Sequence, residues 1–503
     1  MKYRRPKVSV FFLMPLLAMV GAITASRHTT FRPPSNKSNP TKTSNEPNPI
    51  KPQKPPPVAP EAVGPIDRHV LAGGGGTSSG GSIIIDGSVG EASASRTMSG
   101  GSMALTGGFW NTLDTAPTST VQFSLSNYIV QEDCTTVTMT VNRMGTTSGP
   151  ASVDYNTSDA TATERKDYIT ALGKLQFAPG ETSKTFVVLI NEDSFVEGAE
   201  TFNVNLSNPS GAGLGAPVIS AVTINDDAAE PVTNVIDDPR NFVCQHYHDF
   251  LNRQPDQSGW DFWTNQITSC GNNQECIEAL RVNVSASFFL SIEFQGTGYL
   301  VERIYKASYG DAIGSSFIGG THQLAVPIVR FNEFLLDTQQ IGQGVIVGQD
   351  NWEQVIENNK RSFTAEFAQR ARFTTALPNS LTPAQFVNQL FTNAGVTPTD
   401  ADRNAAIGEF GGGPNTSDAA ARARALRRVA ENSILIQQEF NRAFVLMQYF
   451  GYLRRNPNDP QDTDHAGFEF WLNKLNQFNG NFIDAEMVKA FITSFEYRQR
   501  FGS

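Results

Sequence analysis

From Val121 to Asp227 apolar and polar positions alternate with a period of two. QFSLSNYIV, TVTMTVNR, ASVDYNT, GKLQFAP, SKTFVVLI, TFNVNLS and AVTIN each read as a half-buried strand, with turn signals such as APGET between them. Short strands at this spacing predict an antiparallel β-sandwich. From Asn241 onward the period becomes helical. The unit FVCQHYHDFLNRQPDQSGWDFWTNQI, from Phe242, recurs as FVLMQYFGYLRRNPNDPQDTDHAGFEFWLNKL, from Phe444. Tyr247 aligns with Tyr449, Arg253 with Arg455, Pro255 with Pro457, Gly259 with Gly467 and Trp263 with Trp471. The two copies close on FFLSIEF and FITSFEY, and fainter units begin near Tyr299 and Phe386. Internal repeats of this kind predict stacked helical units that share a core. Within a unit, Pro255 ends one helix and Asp256 caps the next, while Phe262 and Trp263 are expected to put aromatic mass into the interface.

Ahead of both regions the pattern fades. Residues 1–25 carry Lys2, Arg4, Arg5 and Lys7, then an apolar run from Val8 to Ile23 and small residues at Ala22 and Ala25. This reads as a secretory signal, with an uncleaved membrane anchor as the alternative. Residues 26–66 are Pro-rich and basic, too poor in apolar residues to form a core, and read as an extended stalk. Residues 67–116 hold a short repeat, SGGSIIIDG at Ser79 and SGGSMALTG at Ser99, each copy a Gly turn followed by a short strand. The domain plan is then a sandwich over 118–228, a linker over 229–240 and a helical domain over 241–502.

Charge sharpens this picture. The 503 residues carry 49 acidic and 39 basic side chains, a net charge of −10. That argues against nucleic acid as a partner, because phosphate binding needs clustered Lys and Arg. The acids are concentrated. If successive strands run up and down, the loops after Val130, Thr157, Ile190 and Asn225 fall at one end. They bring Glu132 and Asp133; Asp159, Glu164 and Asp167; Glu192, Asp193, Glu197 and Glu200; and Asp226 with Asp227. The loops at the other end hold only Glu181. Oxygen ligands gathered from several loops, with no His or Cys among them, suit Ca²⁺; the alternative is a solvated acidic end.

Four cysteines are present. Cys270 and Cys276, in SCGNNQEC, suit a small loop-closing disulfide. Cys134 and Cys244 read as separate, small buried side chains, with a bridge between them as the alternative. In CQHYH, Cys244 and His248 share a helix face while His246 points away, which makes a poor zinc site.

At residues NYIVQEDCTTVTMTVNR, VDYNTSDATATERKDY, LQFAPGETSKTF, NEDSFVEGAETFNVNLSNP and VTINDD the chain resembles the Calx-beta family. The resemblance implies an immunoglobulin-like sandwich that binds Ca²⁺ at one end. It implies Glu132, Asp159, Glu192, Asp193, Glu197, Asp226 and Asp227 as metal ligands, with Asp167 beside the site as a loop anchor. Ala160 and Arg165-Lys166 depart from the family pattern and put two cations near the site's mouth. The helical pattern Y-x-x-x-L-x-R-x-P-D-x-x-G-x-x-x-W, followed by S-x-E-F, resembles the domain-of-unknown-function family 4214 of secreted bacterial proteins. That family implies no established activity, and the S-x-E-F element is expected to cap or pack.

The combined expectation is a non-enzymatic, exported, calcium-binding protein of the cell surface or matrix, acting in adhesion, assembly or cell–cell communication. Its partner would be a surface or matrix protein or a polysaccharide. It would touch a membrane only through an uncleaved N-terminal anchor. The alternatives are a carbohydrate-binding protein using helical-domain aromatics such as Trp263 and Trp471, and a secreted hydrolase using carboxylates such as Glu293 and Glu302.

Overall fold

The computed structural model describes residues 75–80, 83–88, 98–100, 103–105, 119–226, 230–314 and 325–502. The expected signal and stalk lie outside them, as does Asp227. In the glycine-rich module, β1 (Gly75–Gly80) pairs antiparallel with β2 (Ile83–Ser88), and β3 (Met98–Gly100) with β4 (Met103–Leu105).

The sandwich contains β5 (Ser119–Phe123), β6 (Asn127–Gln131), β7 (Thr135–Gly145), β8 (Ala151–Asp159), β9 (Leu172–Phe177), β10 (Ser183–Ile190), β11 (Glu200–Ser210), β12 (Gly213–Leu214) and β13 (Ile219–Asn225). A four-stranded sheet runs β10-β7-β5-β12 and a five-stranded sheet runs β6-β13-β11-β8-β9. Inward positions such as Phe123, Val141, Val153, Val188, Phe202 and Val222 are fully buried between the sheets, the arrangement that period-two alternation demands. The stretch QFSLSNYIV, expected as one strand, is two. β5 pairs with β7, whereas β6 runs parallel to β13 in the other sheet. The change of sheet falls at Ser124–Ser126. There Leu125 points outward, 55% exposed, and its carbonyl accepts from Ser220 Oγ while Ser126 O accepts from Ala221 N. Two serines flanking an outward leucine break the apolar alternation and free the backbone to cross.

The helical half begins with α1 (Pro239–Leu251), α2 (Gln257–Thr268), α3 (Gln274–Phe289), α4 (Ile292–Gly296), α5 (Gly298–Tyr309) and α6 (Phe331–Gly342). The repeat motif now has a physical meaning. In the first unit α1 stops at Asn252, a left-handed cap, and Asp256 caps α2 by accepting from Gly259 N. Arg253 lies over the Tyr247 ring and makes two hydrogen bonds to Glu293, at 2.9 and 3.0 Å. Ser291 caps α4 through Phe294 N. The second unit repeats most of these features: Arg454 is the left-handed cap, Arg455 pairs with Glu496 at 2.6 and 2.9 Å, and Ser494 accepts from Tyr497 N, while the helix from Ala466 has no side-chain cap like Asp256. The motif's Arg and the Glu of S-x-E-F are therefore one bidentate ion pair, and the Ser is a helix cap. The motif glycine is steric. A Cβ at Gly259 would stand 2.2 Å from Tyr247 Oη, and one at Gly467 2.6 Å from Tyr449 Oη. Trp263 and Trp471 are half-buried against the core, but Phe262 and Phe470, expected inside, are 49% and 57% exposed. Each lies one residue before its tryptophan, so on a helix it faces about 100° away.

The sandwich and the helical half meet directly. Cys134 and Cys244 form a disulfide with a Cα–Cα distance of 6.2 Å, which corrects the expectation of two separate buried thiols. The β6–β7 loop and α1 face each other across the junction, a long-range contact that chain spacing alone does not reveal. Cys270–Cys276 is bonded as expected. Nearby, Arg500 donates to Arg165 O at 2.9 Å and holds the buried Asp249 with two further bonds. Among the described residues no helix is long and apolar enough to cross a membrane.

Candidate metal centre

The strand directions bring the acidic loops together. Glu132 follows β6, and its Oε1 accepts from Asp193 N at 3.1 Å. Asp193 lies in the loop after β10, 1% exposed. Its Oδ1 accepts from Phe195 N at 2.7 Å, while its Oδ2 is buried without a hydrogen-bond partner. Asp167, Asp193 and Glu197 each present a carboxylate oxygen within 4.8 Å of the others. Asp226, following β13, accepts from Glu197 N and Gly198 N at 2.8 and 2.7 Å and so shapes that loop. Glu192 acts on Glu132 through space.

Burial and like charge penalise ionisation here. Burial pushes the Glu132 carboxyl up to about 9, helped by Asp193 and Glu192. Burial likewise pushes Asp193 up to about 7, with Glu197 and Asp167 adding to the shift against the Phe195 N–H. Asp167 and Glu197 are raised, and Glu200 rises to about 7, all chiefly by desolvation.

Of the predicted ligands, Glu132, Asp193, Glu197 and Asp226 converge, with Glu192 at their flank. Asp159 stands apart. It is exposed, and its Oδ1 accepts from Glu164 N at 2.9 Å and Tyr168 Oη at 2.5 Å. Asp167 does both jobs: its Oδ2 anchors Thr163 N at 2.5 Å, and it joins Asp193 and Glu197. Of the mouth cations, Arg165 lies beside Glu164 at 3.5 Å, while the Lys166 ammonium sits over the Phe195 ring and its charge partly offsets the rise of Asp167, Asp193 and Glu197. An all-oxygen donor set with an unpartnered buried carboxylate oxygen fits a hard divalent cation such as Ca²⁺.

Other chemistry fits less well. Cys134, Cys244 and His248 approach one another, but the two sulfurs are spent on their own bond. His246 faces Phe242 O and Ser285 instead, at 2.7 and 2.6 Å. Glu293 is held by Arg253, and Glu302 is buried in the helical core near Glu439.

Residues 114–228 match the family model of the Calx-beta domain, and residues 225–297 match that of the domain of unknown function DUF4214. The mouse extracellular matrix organizing protein FRAS1 is 36% identical over 118 residues, 22% of this chain and 3% of that protein. The Drosophila melanogaster sodium/calcium exchanger Calx is 38% identical over 106 residues, 21% of this chain and 11% of that protein. A crystal structure of the apo-form Calx CBD1 domain is 36% identical, covering 22% of this chain and 97% of that one, with a TM-score of 0.21. The chain thus matches only 3% of FRAS1 and 11% of the Drosophila exchanger, while it covers nearly all of the isolated CBD1 domain. It carries a Calx-beta domain at residues 114–228, followed by a DUF4214 segment at residues 225–297 that opens its helical half.

Proposed function

We propose that this protein is an exported, non-enzymatic, Ca²⁺-binding protein of the cell surface or matrix, and that the acidic end of its Calx-beta sandwich holds the ion. The observation that carries this reading is Asp193 Oδ2, buried and unpartnered beside Asp167 and Glu197. Bound Ca²⁺ would add the positive charge that Lys166 alone supplies only in part. Glu132, Asp193 and Glu197 would hold it, with Asp167 alongside, while Asp226 shapes the loop through its two backbone bonds.

The same loops carry the junction with the helical half. Asn191 Oδ1 meets His248 Nδ1 at 3.3 Å, Ser194 Oγ donates to Phe501 O at 3.2 Å, and Cys134 is bonded to Cys244. Ordering the acidic loops therefore also stiffens the joint, which suits a role in adhesion or assembly with a surface or matrix protein or a polysaccharide. The half-burial of Trp263 and Trp471 weighs against a sugar platform built on them. Calcium titration calorimetry on the full chain tests the reading. Saturable heat is expected, and it should disappear in both Asp193→Asn and Glu197→Ala. A parent protein that gives no heat would sink the proposal.

A further inference from the structure

Away from the acidic end, β9 and β10 are each the outer strand of their sheet. They border the same side of the sandwich, where Ile169 N donates to Leu189 O. The helical half approaches this side through α6, and a cleft of about 760 Å³ opens between the two domains. Its walls are β9, β10, the turn after α1 and the loop after α6.

Gln339 of α6 shows what this edge accepts. Its Nε2 donates to Thr170 O at 2.8 Å, and its Oε1 accepts from Leu172 N at 3.1 Å. Bonding the C=O of one residue and the N–H two residues on is what a single residue of a neighbouring parallel strand does. One side-chain amide therefore stands where an added strand would begin. The ladder's phase says what comes next. Thr157 N donates to Ala171 O, and β8–β9 pairing continues with Tyr155 opposite Gly173 and Val153 opposite Leu175. Alternate residues bond inward, so Lys174 and Gln176 turn their N–H and C=O groups away from β8. Both residues line the cleft. No proline or bulge blocks this edge, although natural sheets commonly protect such edges.

Charge narrows the occupant. Lys174 pairs with Asp154 at 3.2 Å, Arg253 with Glu293 at 2.9 Å, and Arg370 with Asp337 at 2.6 Å and Glu366 at 2.8 Å. Each of these wall cations thus already has a carboxylate partner, in the wall or directly behind it. The remaining surface is carboxamide and apolar, including the Tyr155–Phe186 ring stack and Val187, which is 46% exposed on β10. A charged ligand would lose hydration and find no free counter-charge.

We propose that this cleft binds an uncharged, extended peptide segment of a partner protein, which adds to β9 as a further strand. Backbone bonds to Lys174 and Gln176 give the affinity, and the apolar floor selects the side chains. The docked helical half forms the opposite wall.

The test uses the full chain and a fluorescein-labelled, end-blocked hexapeptide of alternating threonine and valine. Saturable anisotropy is expected, with slowed amide exchange across 172–177. Lys174→Pro removes one outward N–H at an edge position where proline is tolerated, and should weaken binding about tenfold. Lys174→Ala keeps that N–H and should bind like the parent. Gln339→Ala uncovers Thr170 O and Leu172 N and should tighten binding. No saturation at millimolar peptide, equal affinity of the proline and alanine variants, or protection of 172–177 by cellohexaose but not by the peptide would each overturn the proposal.

Discussion

The acidic end of the sandwich and the helical half handle negative charge in opposite ways. In the helical half many carboxylates have arginine partners: Glu293 with Arg253, Glu496 with Arg455, Asp249 with Arg500 and Glu357 with Arg427, while Glu302, buried beside Glu439, is an exception raised to about 8. The hydrogen bond from Arg427 to Glu357 holds that carboxyl down at about 2. At the sandwich end, Glu132, Asp193, Glu197 and Glu200 are all raised from their ordinary values, chiefly by burial. A fixed counter-charge makes geometry independent of the medium. A missing one hands part of the geometry to whatever cation the medium supplies.

The most damaging way to break this contrast is to remove a fixed cation. Arg500→Ala leaves Asp249, whose side chain is 1% exposed, buried without its ion-pair partner and held, among the described residues, only by the Gln245 amide. A loss of about 3–5 kcal/mol is expected in urea unfolding of the full chain. Next comes Gly259→Ala. Alanine favours helices, yet its Cβ would stand 2.2 Å from Tyr247 Oη. A loss of about 1–3 kcal/mol is expected by the same measurement, and an unchanged midpoint would refute the steric account of the motif.

The pH response separates the two regions by sign. The raised pKa values of Glu132 and Asp193 favour the fold below about pH 4, and this contribution is lost as pH rises through about 7 to 9. Burial instead pulls His246 down to about 3, so its contribution is present above its ordinary 6.5 and is lost as pH falls. In chelator, with the intrinsic pH dependence of exchange divided out, moving from pH 8 to pH 5 should therefore raise amide protection factors in the acidic loops and lower them around α1. The same direction in both regions would dissolve the comparison. The smallest effect is expected at the opposite end of the sandwich, where Glu181 pairs with Lys184 at 2.8 Å. Glu181→Gln should leave the calcium heat unchanged.

Much of this was legible in the residues. Period-two alternation located the strands, and alternating strand direction placed the acids at one end before any contact was known. The helical repeat located the Tyr, Arg and Gly positions, but not that Arg253 reaches Glu293, 40 residues later. Asp167 was harder to weigh, because its loop between β8 and β9 has no periodicity and is held by its bond to Thr163 N. Glu200 opens β11, where the strand pattern hides its closeness to Asp167. The Cys134–Cys244 bond was illegible for a simpler reason. It depends on how two domains dock, and each domain's pattern describes only its own core.

That bond also reroutes force. Tension applied along the chain passes from Cys134 straight to Cys244, so the 110 residue steps between them carry no load. Roughly 370 Å of contour stays out of reach of a pulling partner, at ~3.3–3.6 Å per residue. Asp159, Glu192, Asp193, Glu197, Asp226 and Asp227 all lie inside the shielded stretch, and Glu132 lies just outside it. A molecule stretched between two surfaces would keep its acidic loops folded while feeling the pull at one ligand candidate alone.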